Sequence, residues 1–326
     1  MTHRIRIRLL AAASLALGLA LPLVPGMAGA QGAGKPIKIV APFSVGSGVD
    51  SISRIYARVL GEQLGVPVVV ENRDGAGGMI GAAYASKQPA DGTTLLLATT
   101  PFVVGPITQG NAGYDPLKDF AAVARIATNP LALAVNPNVP AKNLRELVAY
   151  AKANPGKLTY ASSGPGTPSQ LEMEVLKAQL GVDIREIPYK SNAQALTDTI
   201  AGTVDMYYTV QSTTLANIQG GRLKALAVGA LKRTSALPET PTVSEASGLR
   251  DYEAQVWYGI VVPAATPADV VRRINAAILK AAQMPEVVDE VKKLGFESSA
   301  SSPADFVSTM TREADRAAAI ARAGKK

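Results

Sequence analysis

Ile37 to Leu60 reads IKIVAPFSVGSGVDSISRIYARVL, and its punctuation decides the fold class. Ile37, Ile39, Val40 and Ala41 form an apolar run of strand length, Pro42 ends it, and Ser44-Val45-Gly46-Ser47-Gly48 turns the chain into a helix. Asp50 or Ser51 is the expected helix cap. Such a turn suits an anion: Gly46 and Gly48 let the backbone approach a ligand, Ser44 and Ser47 offer hydroxyls, and the helix start presents unpaired N–H groups. A strand, a Gly/Ser turn and a helix also make up any βα unit, so the plain structural reading stays open beside the binding one.

Working outward, the same alternation continues. Val66–Val70 reads as a strand, Asn72–Gly78 as a loop with three glycines, Met79–Lys87 as a helix and Thr94–Ala98 as a third strand. Alternation of this kind points to a parallel α/β sheet with ligands at the carboxyl ends of its strands, gathering Ser44–Gly48, Asp74–Gly78 and Thr99–Thr100 along one edge. Gly75, Gly77 and Gly81 do not have the spacing of a dinucleotide fingerprint. Phe120–Val135 reads as one or two long strands interrupted at Asn129-Pro130, a crossing between lobes. The opening device then returns: Leu158–Ala161 is a strand, Ser162–Pro168 a small-residue turn with Thr167 as cap, and Gln170–Leu180 a helix. Strands at Ile184–Ile187, Val204–Tyr208 and Leu223–Val228 follow, Gln255–Val262 returns to the first lobe, and helices start near Pro267, Pro285 and Pro303. Two lobes with anion-friendly turns facing a cleft describe a hinge-closing clamp.

The first thirty residues carry Arg4, Arg6 and Arg8, an apolar run from Leu9 to about Leu21, and Ala28-Gly29-Ala30, the pattern of a cleaved secretory signal peptide. The expectation is a periplasmic protein beginning near Gln31. Of 33 Lys and Arg against 26 Asp and Glu, three arginines lie in that leader, so the mature excess falls from +7 to +4. The basic residues are scattered without interleaved aromatics, which argues against nucleic acid. Cysteine is absent and the single histidine is His3. Ser-His-Asp and Cys-His nucleophiles and His- or Cys-ligated zinc are thereby excluded from the mature chain. No metal or cofactor is expected.

PF-x-x-G-x-x-x-D at Pro42–Asp50, ENR-x-GAGG-x-IG at Glu71–Gly81, PADG-T-TLL at Pro89–Leu96 and PYK at Pro188–Lys190 resemble the Bug family, the extracytoplasmic solute receptors of tripartite tricarboxylate transporters. ALTD-x-x-x-G-x-VD at Ala195–Asp205, LPETPTVSEA at Leu237–Ala246 and WYGIVVPAATP at Trp257–Pro267 extend the resemblance to the C-terminus. It implies a two-lobed α/β Venus flytrap, type II-like, with the ligand cleft between lobes and no catalysis. It also implies delivery of a small carboxylate to a membrane permease, and the chain is expected to be a monomer. The lobes expected are 31–125 plus 252–326 and 126–251, after a signal peptide at 1–30. Site residues implied by the resemblance are Ser44, Gly46, Ser47, Gly75, Gly77, Gly78, Thr99 and Thr100 in the first lobe. In the second they are Ser163, Gly164, Gly166, Thr167, Tyr189, Lys190 and Asp205. Ser44-Val45-Gly46-Ser47 replaces the family's usual Pro-Pro-Gly-Gly, Gln170 a frequent His and Ser191 a Gly, so the usual ligand assignments do not carry over. Lys190 has a solvated role as its alternative, Asp205 the capping of a turn, and Trp257 simple packing. A sensor that presents its closed state to a membrane signalling partner shares these features; a histidine-free enzyme using Lys190 or Asp205 is the third reading.

Overall fold

The structure is a computed structural model that describes residues 34–164 and 167–323. The leader at 1–30 and Gly166 lie outside the described residues. β1 (Ile37–Ala41) feeds α1 (Gly48–Leu64), β2 (Val68–Asn72) feeds a 3-10 turn at Ala76–Gly78 and α2 (Met79–Ala85), and β3 (Thr94–Thr99) feeds α3 (Thr100–Gln109). β4 (Phe120–Val135) leads to α4 (Leu144–Ala153), β5 (Thr159–Ser162), α5 (Pro168–Leu180), β6 (Arg185–Pro188) and α6 (Asn192–Ala201). Then come β7 (Met206–Val210), α7 (Gln211–Gln219), β8 (Lys224–Val228) and α8 (Val243–Ser247). β9 (Gln255–Pro263), α9 (Ala268–Ala281), α10 (Pro285–Lys293), β10 (Glu297–Ser298) and α11 (Pro303–Ala323) complete the chain.

The strands run in the order β2-β1-β3-β9-β4-β7-β5-β6, with β8 and β10 also on β4. β1 pairs in parallel with β2 and β3, and β5 in parallel with β6 and β7, so each lobe has its own parallel set. β4 is one unbroken strand that belongs to both. Up to Pro130 its partner is β9, and from Leu131 its partner is β7. Proline has no N–H for the ladder, so the partner change falls where a donor is missing. The return passes through Ala254, whose carbonyl accepts from Leu131 N at 2.9 Å and whose N–H donates to Gly229 O at 2.8 Å.

Each lobe buries its own core. In the first, α1, α9 and α10 cover one sheet face through Ile52, Tyr56, Ile278 and Val287, and α2, α3 and α11 cover the other through Ala82, Val103 and Phe306. In the second, α4, α5 and α8 pack Leu147, Met173, Leu176 and Val243 on Leu133 and Tyr208. Trp257 packs in the first lobe's core, edge-on to Phe306 with centroids 5.3 Å apart.

Three local expectations are corrected. β2 lies at Val68–Asn72, not Val66–Val70. It is an edge strand, which tolerates Glu71 and Asn72 in the ladder while Pro67 stays outside it. The loop expected at Thr99–Thr100 is absent: Thr99 ends β3 and Thr100 opens a helix, Thr100–Gln109, with Pro101 in its first turn, where no donor is needed, and Pro106 within it. The cap of α1 is Ser47, whose hydroxyl accepts from Asp50 N at 3.2 Å, and neither Asp50 nor Ser51.

Candidate functional site

Where the lobes meet there is a cavity of about 330 Å³. Gly77 of the 3-10 turn and Thr100, Pro101 and Val104 of α3 wall it from the first lobe, and Thr167, Pro168, Leu171 and Glu172 of α5 from the second. Gln255 and Val256 of β9 and Glu313, Arg316 and Ala317 of α11 close it. Its volume is at the small end of ligand sites, and apolar walls with a few convergent polar groups are what such sites have.

The polar groups come from two helix starts, one in each lobe. α3 begins at Thr100 after an extended Thr99 that makes no side-chain cap, and there is no acidic residue in its first turn. α5 begins at Pro168 after Thr167, and there too no side chain caps the helix and no acid neutralises it. The Thr167 hydroxyl, expected as a cap, instead donates to Gly164 O at 2.7 Å. Both helix ends therefore keep their partial positive charge at the cavity wall. Thr100 Oγ1 is buried and has no hydrogen-bond partner among the described residues.

The far wall is ionic. Arg316 Nη2 is 2.6 Å from Glu172 Oε1, an ion pair that joins α11 to α5 across the lobes. Glu172 is buried, and its second oxygen, Oε2, has no partner among the described residues. Burial pushes the Glu172 carboxyl above the ordinary range against the pull of Arg316. Burial raises Glu313 as well, again opposed by Arg316. Burial would lower the Arg316 guanidinium, but the two glutamates outweigh it and hold it up. A second cavity of about 190 Å³ shares Gln255, Glu313 and Arg316 with the first and adds Arg125, Glu253, Trp257, Thr309 and Arg312.

Of the residues expected at the site, Gly77, Thr100 and Thr167 line the larger cavity, and Gly78 and Thr99 line a small void beside Phe43 and Phe102. Gly77 and Gly78 have φ of 64° and 96°, so this turn requires glycine for its backbone alone. Gly75 also has a positive φ and does not line the cavity. Ser163 is committed to a hydroxyl network, 2.8 Å from Tyr207 Oη and bonded to Asn192, while Gly164 N donates to Ser162 Oγ at 3.2 Å. Tyr189 and Lys190 follow β6 but do not line the cavity. Burial, with a hydrogen bond to Asp198, pushes the Tyr189 hydroxyl up to about 12, and Lys190 is exposed.

Two expectations change. Asp205 is not at the cleft: its Oδ2 accepts from Thr159 N at 2.7 Å and Thr159 Oγ1 at 2.8 Å, at the amino ends of β5 and β7, opposite the turn at Ser163. The turn at Ser44, Gly46 and Ser47 already holds an anion of its own. Asp50 Oδ2 accepts from Gly46 N at 2.9 Å and from Arg54 Nε at 3.0 Å, and Oδ1 accepts from Asn72 Nδ2 at 3.0 Å. Burial alone would raise the Asp50 carboxyl, yet the bonds from Arg54, Gly46 and Asn72 hold it below the usual carboxylate range. Ser44 Oγ donates to Asp74 and clips the turn to the next loop. Neither Glu172 nor Arg316 was foreseen, since nothing in the sequence marks two residues so far apart as partners.

The family model described as "Tripartite tricarboxylate transporter family receptor" matches residues 52–324. BugT of Bordetella pertussis is 32% identical over 290 residues, covering 88% of this chain and 89% of its own. An R. palustris protein solved with adipate is 30% identical with a TM-score of 0.75, over 88% of this chain and 97% of that one. MatC from Rhodopseudomonas palustris with bound malate is 26% identical with a TM-score of 0.69, over 88% and 98%. The fold and these likenesses agree: the chain belongs to the tripartite tricarboxylate transporter receptor family, a family of periplasmic receptors that includes the Bug-named proteins, and is a two-lobed solute-binding receptor and not an enzyme.

Proposed function

We propose that this receptor captures a small carboxylate in the cavity between its lobes and delivers it to a tripartite tricarboxylate-type permease. The observation that carries this reading is the pair of uncapped helix starts, α3 from one lobe and α5 from the other, bordering one cavity with the unpartnered Thr100 Oγ1 beside them. A carboxylate there neutralises both helix ends and takes amide and hydroxyl bonds that no internal acceptor supplies. Gly77, Thr100 and Thr167 are its proposed contacts, and the adipate and malate held by the two relatives supply the chemical class. The protein reaches the periplasm through a signal peptide cleaved near Gln31; intact mass after export from a competent host checks this.

A thermal-shift screen over straight-chain mono-, di- and tricarboxylic acids tests the binding reading. An acid at a hundredfold excess over its Kd adds about 2.7 kcal/mol to stability. Stabilisation by sugars alone, with none by any acid, would refute the reading.

A further inference from the structure

We propose that Glu172 makes this receptor select a carboxylate that also carries a primary amino group, with the ligand ammonium on Glu172 Oε2. The inference rests on the carboxylate reading above and deepens it. Three observations carry it. Glu172 Oε2 is buried, lines the cavity and has no donor among the described residues, although its sister oxygen is paired with Arg316. A buried carboxylate oxygen is an acceptor only, and leaving it bare costs the full desolvation of a charged group. Second, the charged group that acts on Glu172 is Arg316, which it shares with Glu313, and its other neighbours on β7 and the return to β9 are the neutral tyrosines Tyr208 and Tyr252, while Arg125, Arg312 and Glu253 line the adjoining cavity. The bare oxygen attracts a cationic donor and repels a second anion. Third, the opposite polarity lies in the same cavity, at the starts of α3 and α5, with apolar Pro101, Val104 and Leu171 between. A chain with an anion at one end, a cation at the other and methylenes between matches all three.

Calorimetric titration with four probes of one length decides it: 5-aminopentanoate, pentanoate, glutarate and pentylamine. The expected order puts 5-aminopentanoate at least tenfold tighter than pentanoate, with glutarate weakest of the acids. In Glu172→Gln the tenfold advantage of 5-aminopentanoate over pentanoate is lost, whereas Glu172→Asp keeps part of it. Should Glu172→Gln fail to fold, the wild-type order still decides. Equal or tighter binding of glutarate overturns this inference and leaves the carboxylate reading standing. Binding of pentylamine with none of the acids overturns the carboxylate reading and this inference with it, and an undiminished advantage in folded Glu172→Gln removes Glu172 from the role.

Discussion

Replacing Asp50 by asparagine tests whether the first turn is built around an internal anion. Every partner of this carboxylate is a donor: Gly46 N at 2.9 Å, Arg54 Nε at 3.0 Å, Asn72 Nδ2 at 3.0 Å and Arg54 Nη2 at 2.9 Å. Asparagine has the shape but only one acceptor oxygen, so its NH2 is driven against a donor. Hydrogen bonds to a charged group contribute roughly 1.5 to 3 kcal/mol each, while the Arg54 pair, half-exposed on the arginine side, is discounted to at most about 1 kcal/mol. Counting the amide and Asn72 bonds near the low end and offsetting part of them by the relieved burial of charge leaves a loss of about 2 to 3 kcal/mol. Urea denaturation followed by circular dichroism reads it as a lower midpoint at unchanged slope. The sign of the pH dependence is fixed as well. A carboxyl held below its ordinary value contributes stability fully present above that value and lost as pH falls through the folded one. The gap between wild type and Asp50→Asn is therefore full at neutral pH and closes in acid below the ordinary carboxylate range. A gap that is absent at neutral pH, or unchanged in strong acid, would refute the internal-anion account.

Gly229→Ala should destabilise the crossing by about 1 to 3 kcal/mol, because its Cβ would be 2.6 Å from both Ala254 O and Tyr208 Oη; thermal melting checks this. Ser47→Ala should cost about 1 kcal/mol as a lost helix cap and leave ligand affinity unchanged, which calorimetry compared with melting separates. Asp205→Ala should lower stability by about 1 to 3 kcal/mol through its two lost bonds to Thr159, with the Kd for any bound acid unmoved.

The elements legible in the sequence were those whose signal is local. The strand Phe120–Val135, the parallel sets in each lobe and the prolines opening α10 and α11 follow from apolar runs and from the missing N–H of proline. α3 went unassigned because Pro101, Gly105 and Pro106 in ten residues give no local helix signal, and packing of Phe102 and Val103 in the core with Tyr114, Phe120 and Phe306 holds the helix. The site was half legible. Gly77, Thr100 and Thr167 follow strand ends, as α/β architecture demands, whereas Glu172 and Arg316 meet only through the path of α11. The Gly/Ser turn misled because a turn built for an anion does not say whose anion it holds, and here Asp50 is four residues away from Gly46.

The division of the site between two lobes has an energetic consequence. A carboxylate that touched only α3 would bind open and closed forms alike and shift nothing between them. Contacts from α5 exist only when the lobes are together, so they alone report binding as closure. Moving a clamp from one part closed in a hundred to ninety-nine parts takes about 5.5 kcal/mol of differential affinity. One charge-assisted bond at the start of α5, at roughly 1.5 to 3 kcal/mol, with up to about 1 kcal/mol from its dipole, supplies part of that figure, because Pro168 has no N–H and Gln170 N is already bonded to Thr167 O. The pair Glu172–Arg316 joins α5 to α11, so an opening that parted these helices would return both charges to water. Such a pair stabilises the closed form little, because burial cancels most of its attraction, and that is what a ligand-dependent clamp requires. Were the pair strongly favourable by itself, the receptor would stay closed without cargo.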